Sequence, residues 1–433
     1  MTERTSFSIQ NSENRVVINH DGQKVSELSN PSLNQLREIS RTTGTPEDRL
    51  DIFEAGLACS QCNSPLEERF SATMEGQLLC WECAMQATET EQNNIRHNTD
   101  PAKVVLGESG LYHKSLCDYV INVATGCSHG CKFCYVPSTP NVTARQEMLA
   151  EQAAVDDGQQ EWGSYLLYRD DLPERLGRKL DRKQKWKQTD RGRGVVMLSS
   201  GTDCYQDRRT AQITRGCVVE LVDHGFPVRI LTRSPAVIRD LDIFEWAVGQ
   251  SQNQDGKLIR VGSSIPCLDE GQVRAIEPGA PAPQARLRAL QTLSEAGIPV
   301  YVSMSPTYPT QTRDDFDQLL SQFADLEAEV VFHEPINPRG GNFQMTIDAA
   351  REAGETTLAK GLERISNDRE YWVEYSLKQM EWAEKLGEKH GVDIHVWPDK
   401  QVIKSVGDEK AQELLRQRDA VSPERIATPP LPS

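Results

Sequence analysis

Cys127, Cys131 and Cys134 stand as CxxxCxxC between Gly126 and Tyr135, directly after the strand-like run Tyr119 to Ala124. A loop carrying three thiolates is an incomplete cage. An iron-sulfur cubane of four irons normally takes four cysteines, so three leave one iron open to an outside ligand. Gly126 and Gly130 supply the backbone freedom to wrap a cluster, and Phe133 and Tyr135 can shield it from water. The competing account is a structural zinc loop without its fourth ligand, His129 being too close to help, or three unrelated thiols. Cysteine spacing in an intracellular enzyme favours metal chemistry.

At 433 residues the chain is long enough for one large enzyme domain with appendages. No apolar run is long enough to cross a bilayer, and Met1 to Gln10 lacks the apolar core of a signal peptide, so the expected location is cytoplasmic, with no membrane partner. That compartment suits the eleven cysteines as metal ligands and free thiols rather than disulfides. A formal charge of −16 repels phosphate over the surface as a whole. One segment runs the other way: Arg175 to Arg193 holds nine Lys or Arg against two Asp, with Trp186 among them. It reads either as a nucleic-acid patch with a stacking aromatic or as a solvated helix face with Leu176, Leu180 and Trp186 turned inward.

Residues 1–50, rich in Ser, Asn, Thr and Arg, read as a weakly ordered extension. Within 51–100, Cys59, Cys62, Cys80 and Cys83 form two CxxC pairs separated by seventeen residues, the spacing of a zinc ribbon or treble-clef knuckle. Met74 to Gln77 suits a hairpin turn between the pairs. Zn2+ holding together a unit too small for its own core is the first reading, and an auxiliary iron-sulfur cluster the second.

Residues 101–345 alternate strand and helix patterns. Strands are predicted at Tyr119 to Ala124, Gly194 to Ser199, Pro227 to Thr232, Leu258 to Ile265, Pro299 to Ser305 and Glu329 to Glu334. Amphipathic segments such as Asp207 to Asp223, Pro283 to Glu295 and Thr312 to Leu326 fall between them. This is an α/β pattern of parallel βαβ units, six of which make an incomplete (β/α)6 barrel with functional residues at the strands' C-terminal ends. Residues 346–433 read as a C-terminal helical extension with a short strand near Ile394 to Trp397 and a disordered tail.

The cysteine loop resembles that of the radical S-adenosylmethionine (SAM) enzymes. Ser199 to Gln206 (SSGTDCYQ), Gly225 to Asp242 and Glu277 to Val300 resemble the family labelled DNA repair photolyase, relatives of spore photoproduct lyase. The resemblance implies the incomplete barrel and a [4Fe-4S] cluster on Cys127, Cys131 and Cys134, with SAM chelating the open iron. It further implies reductive cleavage of SAM to methionine and a 5′-deoxyadenosyl radical for lyase, repair or modification chemistry, nucleic acid being one candidate substrate. A reducing partner such as flavodoxin or ferredoxin follows from the need for an electron. The alternative function is a non-catalytic iron-sulfur and zinc protein that binds nucleic acid or senses redox state.

On the same resemblance, Ser199, Ser200, Gly201 and Thr202 hold the SAM amino group or form an ordinary βα turn. Thr232 and Arg233 stand where relatives carry a Thr-Lys pair whose lysine contacts the SAM carboxylate, a contact arginine can make bidentate. Ser263 and Ser264 suit the ribose or carboxylate, and Pro306 and Tyr308 the adenine. Cys204 replaces the family's usual proline and is either a hydrogen donor to a substrate radical or a small buried residue. Tyr205 either relays the radical or packs. Cys117, Cys217 and Cys267 read as structural. His333, Glu334, Asn337 and Arg339 are candidates for substrate contact or proton transfer, or for closing the rim by hydrogen bonding to the C-terminal segment, and Asp399 with Lys400 reads as a surface ion pair. Metal analysis of the reconstituted full-length protein is expected to find about one zinc per chain besides the cluster iron; a second cluster's worth of iron in its place would assign the four-cysteine unit to iron.

Overall fold

The computed structural model describes residues 95–182, 186, 188–189, 192–198, 200–251 and 257–420, with strands at 7–12, 15–20, 23–29, 70–72 and 78–80. The chain divides into two compact units, residues 1–90 and 91–433. In the first, Phe7–Ser12, Arg15–His20 and Gln23–Ser29 form an antiparallel meander, where the sequence reading had a weakly ordered extension. The signal was present: Asp21-Gly22 is a tight-hairpin dipeptide, and Val16, Val17 and Ile18 are strand formers. Phe70–Ala72 pairs antiparallel with Leu78–Cys80, the two arms of the hairpin expected around Met74 to Gln77. Cys59, Cys62 and Cys83, and the side chain of Cys80, lie outside the described residues, so the zinc expectation rests on spacing alone.

The second unit is built on an eight-stranded sheet. Its strands are β1 (Gly107–Glu108), β2 (Tyr119–Ile121), β3 (Val196–Leu198), β4 (Val228–Thr232), β5 (Ile259–Ser264), β6 (Val300–Thr307), β7 (Val331–Pro335) and β8 (Ile394–Val396). They lie in the order of the chain, all neighbours parallel except β1, which runs antiparallel to β2. The six predicted strands are β2 to β7. The tail was expected to be an appendage, but its short strand is β8, paired with β7 through Val331 and Ile394. The short strand itself was expected near Ile394 to Trp397; its pairing partner, far earlier in the chain, was not legible. The first predicted strand also stops early, at Ile121, and Ala124–Thr125 pairs with a separate strand, Tyr165–Tyr168.

Helices α1 (Arg208–Asp223), α2 (Leu241–Ser251), α3 (Glu270–Ile276), α4 (Pro283–Glu295) and α5 (Arg313–Asp325) lie between successive strands from β3 to β7. Three more, α6 (Asn342–Glu352), α7 (Thr356–Asn367) and α8 (Arg369–His390), separate β7 from β8. Asp207 begins α1 and Thr312 begins α5 with reciprocal capping boxes, which satisfy backbone donors that a helix start leaves open. Trp372, Tyr375 and Met380 of α8 are buried with Ile347 and Leu358.

Inside the curve of the sheet, Met197, Val120, Leu231, Tyr301 and Phe332 fill the lower part. Gly262 makes room, since a Cβ there would come within 2.4 Å of the Tyr301 ring. Arg229 is almost wholly buried among them. Its Nη1 donates to the carbonyls of Ser115 and Leu116 at 2.9 and 2.7 Å, and its guanidinium lies 5.0 Å from the Tyr301 ring and 5.2 Å from that of Phe332. Hydrogen bonds and ring faces together offset the cost of burying the charge. Lys114 reaches across the gap between the two ends of the sheet: its Nζ is 2.5 Å from Glu334 Oε2 and 5.3 Å from the Trp397 ring centroid. The result is a partial barrel whose lower part is packed and whose polar side chains gather at the C-terminal ends of the strands.

Candidate metal-cluster site

The cysteine loop leaves the sheet after β2 and turns on two glycines held in the left-handed region, Gly126 (φ +94°) and Gly130 (φ +55°). At Gly126 only hydrogen fits, because a Cβ would stand 2.0 Å from the carbonyl oxygen of Tyr165. Two side chains after β3 then fasten the loop. Thr202 donates its hydroxyl to the Gly126 carbonyl at 2.5 Å, and Gln206 donates to Thr202 Oγ1 at 2.9 Å while accepting from the Ser128 N–H at 2.6 Å. The segment following α3 fastens the other side: Lys132 N–H donates to Ile276 at 2.8 Å and Gly279 N–H to His129 at 3.0 Å.

So held, Cys127 and Cys131 are buried and Cys134 is half-buried. Burial, reinforced for Cys127 by the Asp203 carboxylate, pushes the Cys127 thiol up to about 12 and Cys134 to about 11. Cys131 is lifted by burial as well, with Arg233 pulling the other way. Cys127 feels the field of Cys134, and Cys131 that of both Cys127 and Cys134, as groups gathered around one volume do. Backbone N–H groups of Asp203 and His129 are directed at Cys127 sulfur, and that of Val136 at Cys134. Such N–H···S contacts stabilise thiolate charge and tune a bound metal.

Among the described residues no group of three or more His, Cys, Asp or Glu side chains could hold a single metal ion. A cluster places each thiolate on a different iron and asks for a wider spacing. Three undisulfided thiols on one glycine-hinged loop, with N–H donors aimed at sulfur, are a donor set that fits a cluster. His129 does not extend it, since it turns Nδ1 toward Asp203 Oδ2 at 3.4 Å.

Around the loop stand the strand ends expected to hold a cofactor. Arg233, just past β4, lies with its guanidinium 5.6 Å from the Phe133 ring and within the field of Cys131. Burial opposes its charge, but Glu277 and Cys131 hold the guanidinium well above its usual value. Asp203 organises the turn by accepting from the N–H groups of Arg233 at 2.7 Å and Tyr205 at 2.9 Å, and from the Thr232 hydroxyl at 2.6 Å. Asn122 accepts from Gly201 N–H at 2.7 Å and from the Ser200 hydroxyl at 3.3 Å. The Ser200 carbonyl accepts from Tyr135 Oη at 2.9 Å. Ser264 is buried, and its carbonyl accepts from Arg286 Nη1 at 2.9 Å. Ser199 lies outside the described residues.

Several candidates are buried or paired with other groups. Tyr205 is fully buried with its hydroxyl on Asp240 Oδ2 at 2.9 Å, next to Arg215 of α1, so it packs toward the helices. Cys204 beside it is also fully buried, and its carbonyl accepts from Thr214 at 2.9 Å. Tyr308 gives its hydroxyl to Glu277 rather than lining an open space. His333 faces Phe316 and shares a 3.1 Å contact with Thr307, burial pushing it down to about 3. Arg339 pairs with Asp399, which therefore closes the rim instead of pairing with Lys400. In the basic segment Arg178 pairs with Glu174 and Arg175 with Asp171, while Leu176 and Leu180 are buried. Trp186 is edge-on to Tyr119 and Phe226 at 6.0 and 5.0 Å, the inward option rather than a stacking platform.

Asn122, Asp203, Gln206, Glu277 and Arg286 were not singled out from sequence. Asp203 and Gln206 lie within the SSGTDCYQ run, and Glu277 opens a Glu-Pro-Gly turn at a strand-end loop, the signals that were available.

A family model, the radical SAM superfamily, matches residues 121–323, from the end of β2 into α5. The chain belongs to that superfamily. It is 32% identical over 251 residues to the uncharacterized protein ORF301 of Acidianus two-tailed virus, covering 56% of this chain and 76% of that protein. It is 28% identical over 192 residues to the uncharacterized protein MJ0683 of Methanocaldococcus jannaschii, covering 44% of this chain and 61% of that one. Among solved structures, a mutant of spore photoproduct lyase is similar with a TM-score of 0.48 and 14% identity, over 72% of this chain and 84% of that chain.

Gly126→Ala is expected to strain the loop by about 1–3 kcal/mol or more and to lower the iron retained per chain after anaerobic reconstitution. Gly249→Ala is the control: a Cβ there meets nothing within 4 Å, and iron content should not change.

Proposed function

We propose that this chain is a SAM-cleaving enzyme with its cluster on Cys127, Cys131 and Cys134 and its cofactor seat at the ends of β3, β4 and β5. The observation that carries the reading is the three-thiol loop, two of its thiols buried, with N–H groups aimed at the Cys127 and Cys134 sulfurs and the cationic Arg233 beside Cys131. When bound, the cluster and SAM supply a one-electron reductive cleavage that yields methionine and a 5′-deoxyadenosyl radical. Arg233 offers a fork for the SAM carboxylate, held close to Cys131. Ser200, Gly201, Thr202 and Ser264 frame the seat; Thr202 does so by fixing the cysteine loop, its hydroxyl being used for the Gly126 carbonyl. Phe133 covers the Arg233 side and excludes water there.

The substrate is admitted, on this reading, at the barrel mouth. Tyr135 follows the last cluster cysteine and keeps 57% of its surface exposed, and the Lys114–Glu334 pair bridges the gap in the sheet. These groups suit a polar substrate; lyase, repair or modification chemistry on nucleic acid is one form of it. Cys204 is the proposed donor of a hydrogen atom to a substrate-derived radical, becoming a thiyl radical that an electron and a proton return to the thiol. Flavodoxin or ferredoxin is the class of partner proposed to deliver electrons. Tyr205, tied to Asp240, is given a packing role. Zinc in the four-cysteine unit is carried forward as a proposal on its spacing.

Reconstituted protein supplied with dithionite and SAM is expected to form 5′-deoxyadenosine and methionine, and none from a Cys131→Ala variant. Absence of both products from the wild type would overturn the reading. Cys204→Ala should still cleave SAM while its substrate-derived products change, and normal products from that variant would remove Cys204 from the chemistry.

A further inference from the structure

A carboxylate with no exposed surface lies next to the cysteine loop. Glu277, the residue after α3, has Oε2 3.0 Å from Arg233 Nε and 2.7 Å from Arg286 Nη2, and its Oε1 accepts from Tyr308 Oη at 3.0 Å. Burial raises its cost of ionising, but the two guanidinium groups outweigh it and keep the carboxyl below its usual value. Arg286 is itself buried and pinned, Nε to the Pro281 carbonyl at 2.7 Å and Nη1 to that of Ser264 at 2.9 Å. A buried carboxylate with two cations is an expensive way to pack a turn, because apolar residues of the same volume would serve.

The place of this group gives it a further use. Glu277 lies between the two backbone hydrogen bonds that join residues 276–279 to the cysteine loop. The approach is so close that a Cβ on Gly279 would stand 2.4 Å from the Ser128 carbonyl. The carboxylate is therefore registered to the loop that carries Cys127, Cys131 and Cys134. Arg233 is meanwhile held at its other end by Asp203, which accepts its backbone N–H. With one carboxylate on its Nε, a guanidinium keeps the edge formed by its two terminal nitrogens for a second planar anion.

We propose that Glu277 is a positioning residue: registered to the cysteine loop by residues 276–279, it holds Arg233 so that the guanidinium receives the SAM carboxylate. The proposal rests on the cofactor reading above and adds to it the residue that sets the geometry. Tyr308 and Arg286 act behind Glu277 and keep its carboxylate from rotating.

The test compares SAM with decarboxylated SAM, by equilibrium dialysis against anaerobically reconstituted full-length protein, with iron content measured alongside. The wild type should prefer SAM. Glu277→Ala should lower that preference about tenfold, the worth of one charge-assisted contact, at unchanged iron content. Glu277→Gln should restore most of it, because its amide oxygen still accepts from Arg233 Nε. An unchanged preference in Glu277→Ala, or Glu277→Gln no better than Glu277→Ala, would overturn the proposal. If Glu277→Ala does not fold, Tyr308→Phe decides: a loss of about two- to fivefold supports the role, and no loss contradicts it. Failure of the wild type to bind SAM would overturn the cofactor reading as well, whereas binding with unaltered variants would overturn the positioning role alone.

Discussion

The site depends on the hold that the turn after β3 has on the cysteine loop. A loop that must place three thiols around one volume cannot be regular, and its left-handed glycines give it no secondary structure of its own to lean on. Thr202 and Gln206 replace that missing structure by bonding to Gly126 and Ser128. Residues 276–279 grip the opposite side through Lys132 and His129. One grip comes from the turn at the end of β3 and the other from the end of α3 and the residues after it, so the accuracy of the loop is inherited from the barrel's framework. This is why a one-carbon addition at Gly126 should be felt in metal content more than in the fold.

Electrostatics then divides the interior. In the lower barrel the buried cation Arg229 is spent on carbonyls and ring faces, with Tyr301 and Phe332 packed against it, and the neighbouring Arg260 pairs with Glu329. At the upper end the charges are arranged around the loop instead. Asp203 receives N–H groups and lies near His129 and Cys127, while Glu277 collects two guanidinium groups and a phenol. Either carboxylate alone would destabilise the site by its desolvation, and the partners each has gathered remove most of that cost. The same partners keep Arg233 cationic beside Cys131.

The alternation of strands and helices was legible because β2 to β7 are short runs rich in strand formers and separated by helical patterns, and because helices such as α1 and α5 carry a clear apolar stripe. The cysteine loop was legible because metal ligands show in spacing. What escaped was whatever depended on distance along the chain. The short strand of the tail was read, but not its pairing with β7 as β8, and β1 is shorter still. Tyr205 and His333 lie in the right segments for a site, but side chains alternate along a strand and its turn, and these two fall on the helix-facing side. Glu277 was invisible for the opposite reason: one acidic residue in a Pro-Gly turn has no periodicity, and its role exists only through Arg233, Arg286 and Tyr308.

The central claim is that the three-thiol loop leaves a cluster open for SAM at the ends of β3 to β5. The most direct measurement is electron–nuclear double resonance on the reduced, reconstituted protein, with SAM isotopically labelled at its amino nitrogen and carboxylate oxygens. The account predicts couplings from both labels to the cluster spin. Spectra indistinguishable from those with unlabelled SAM, from a protein whose cluster is intact, would contradict it.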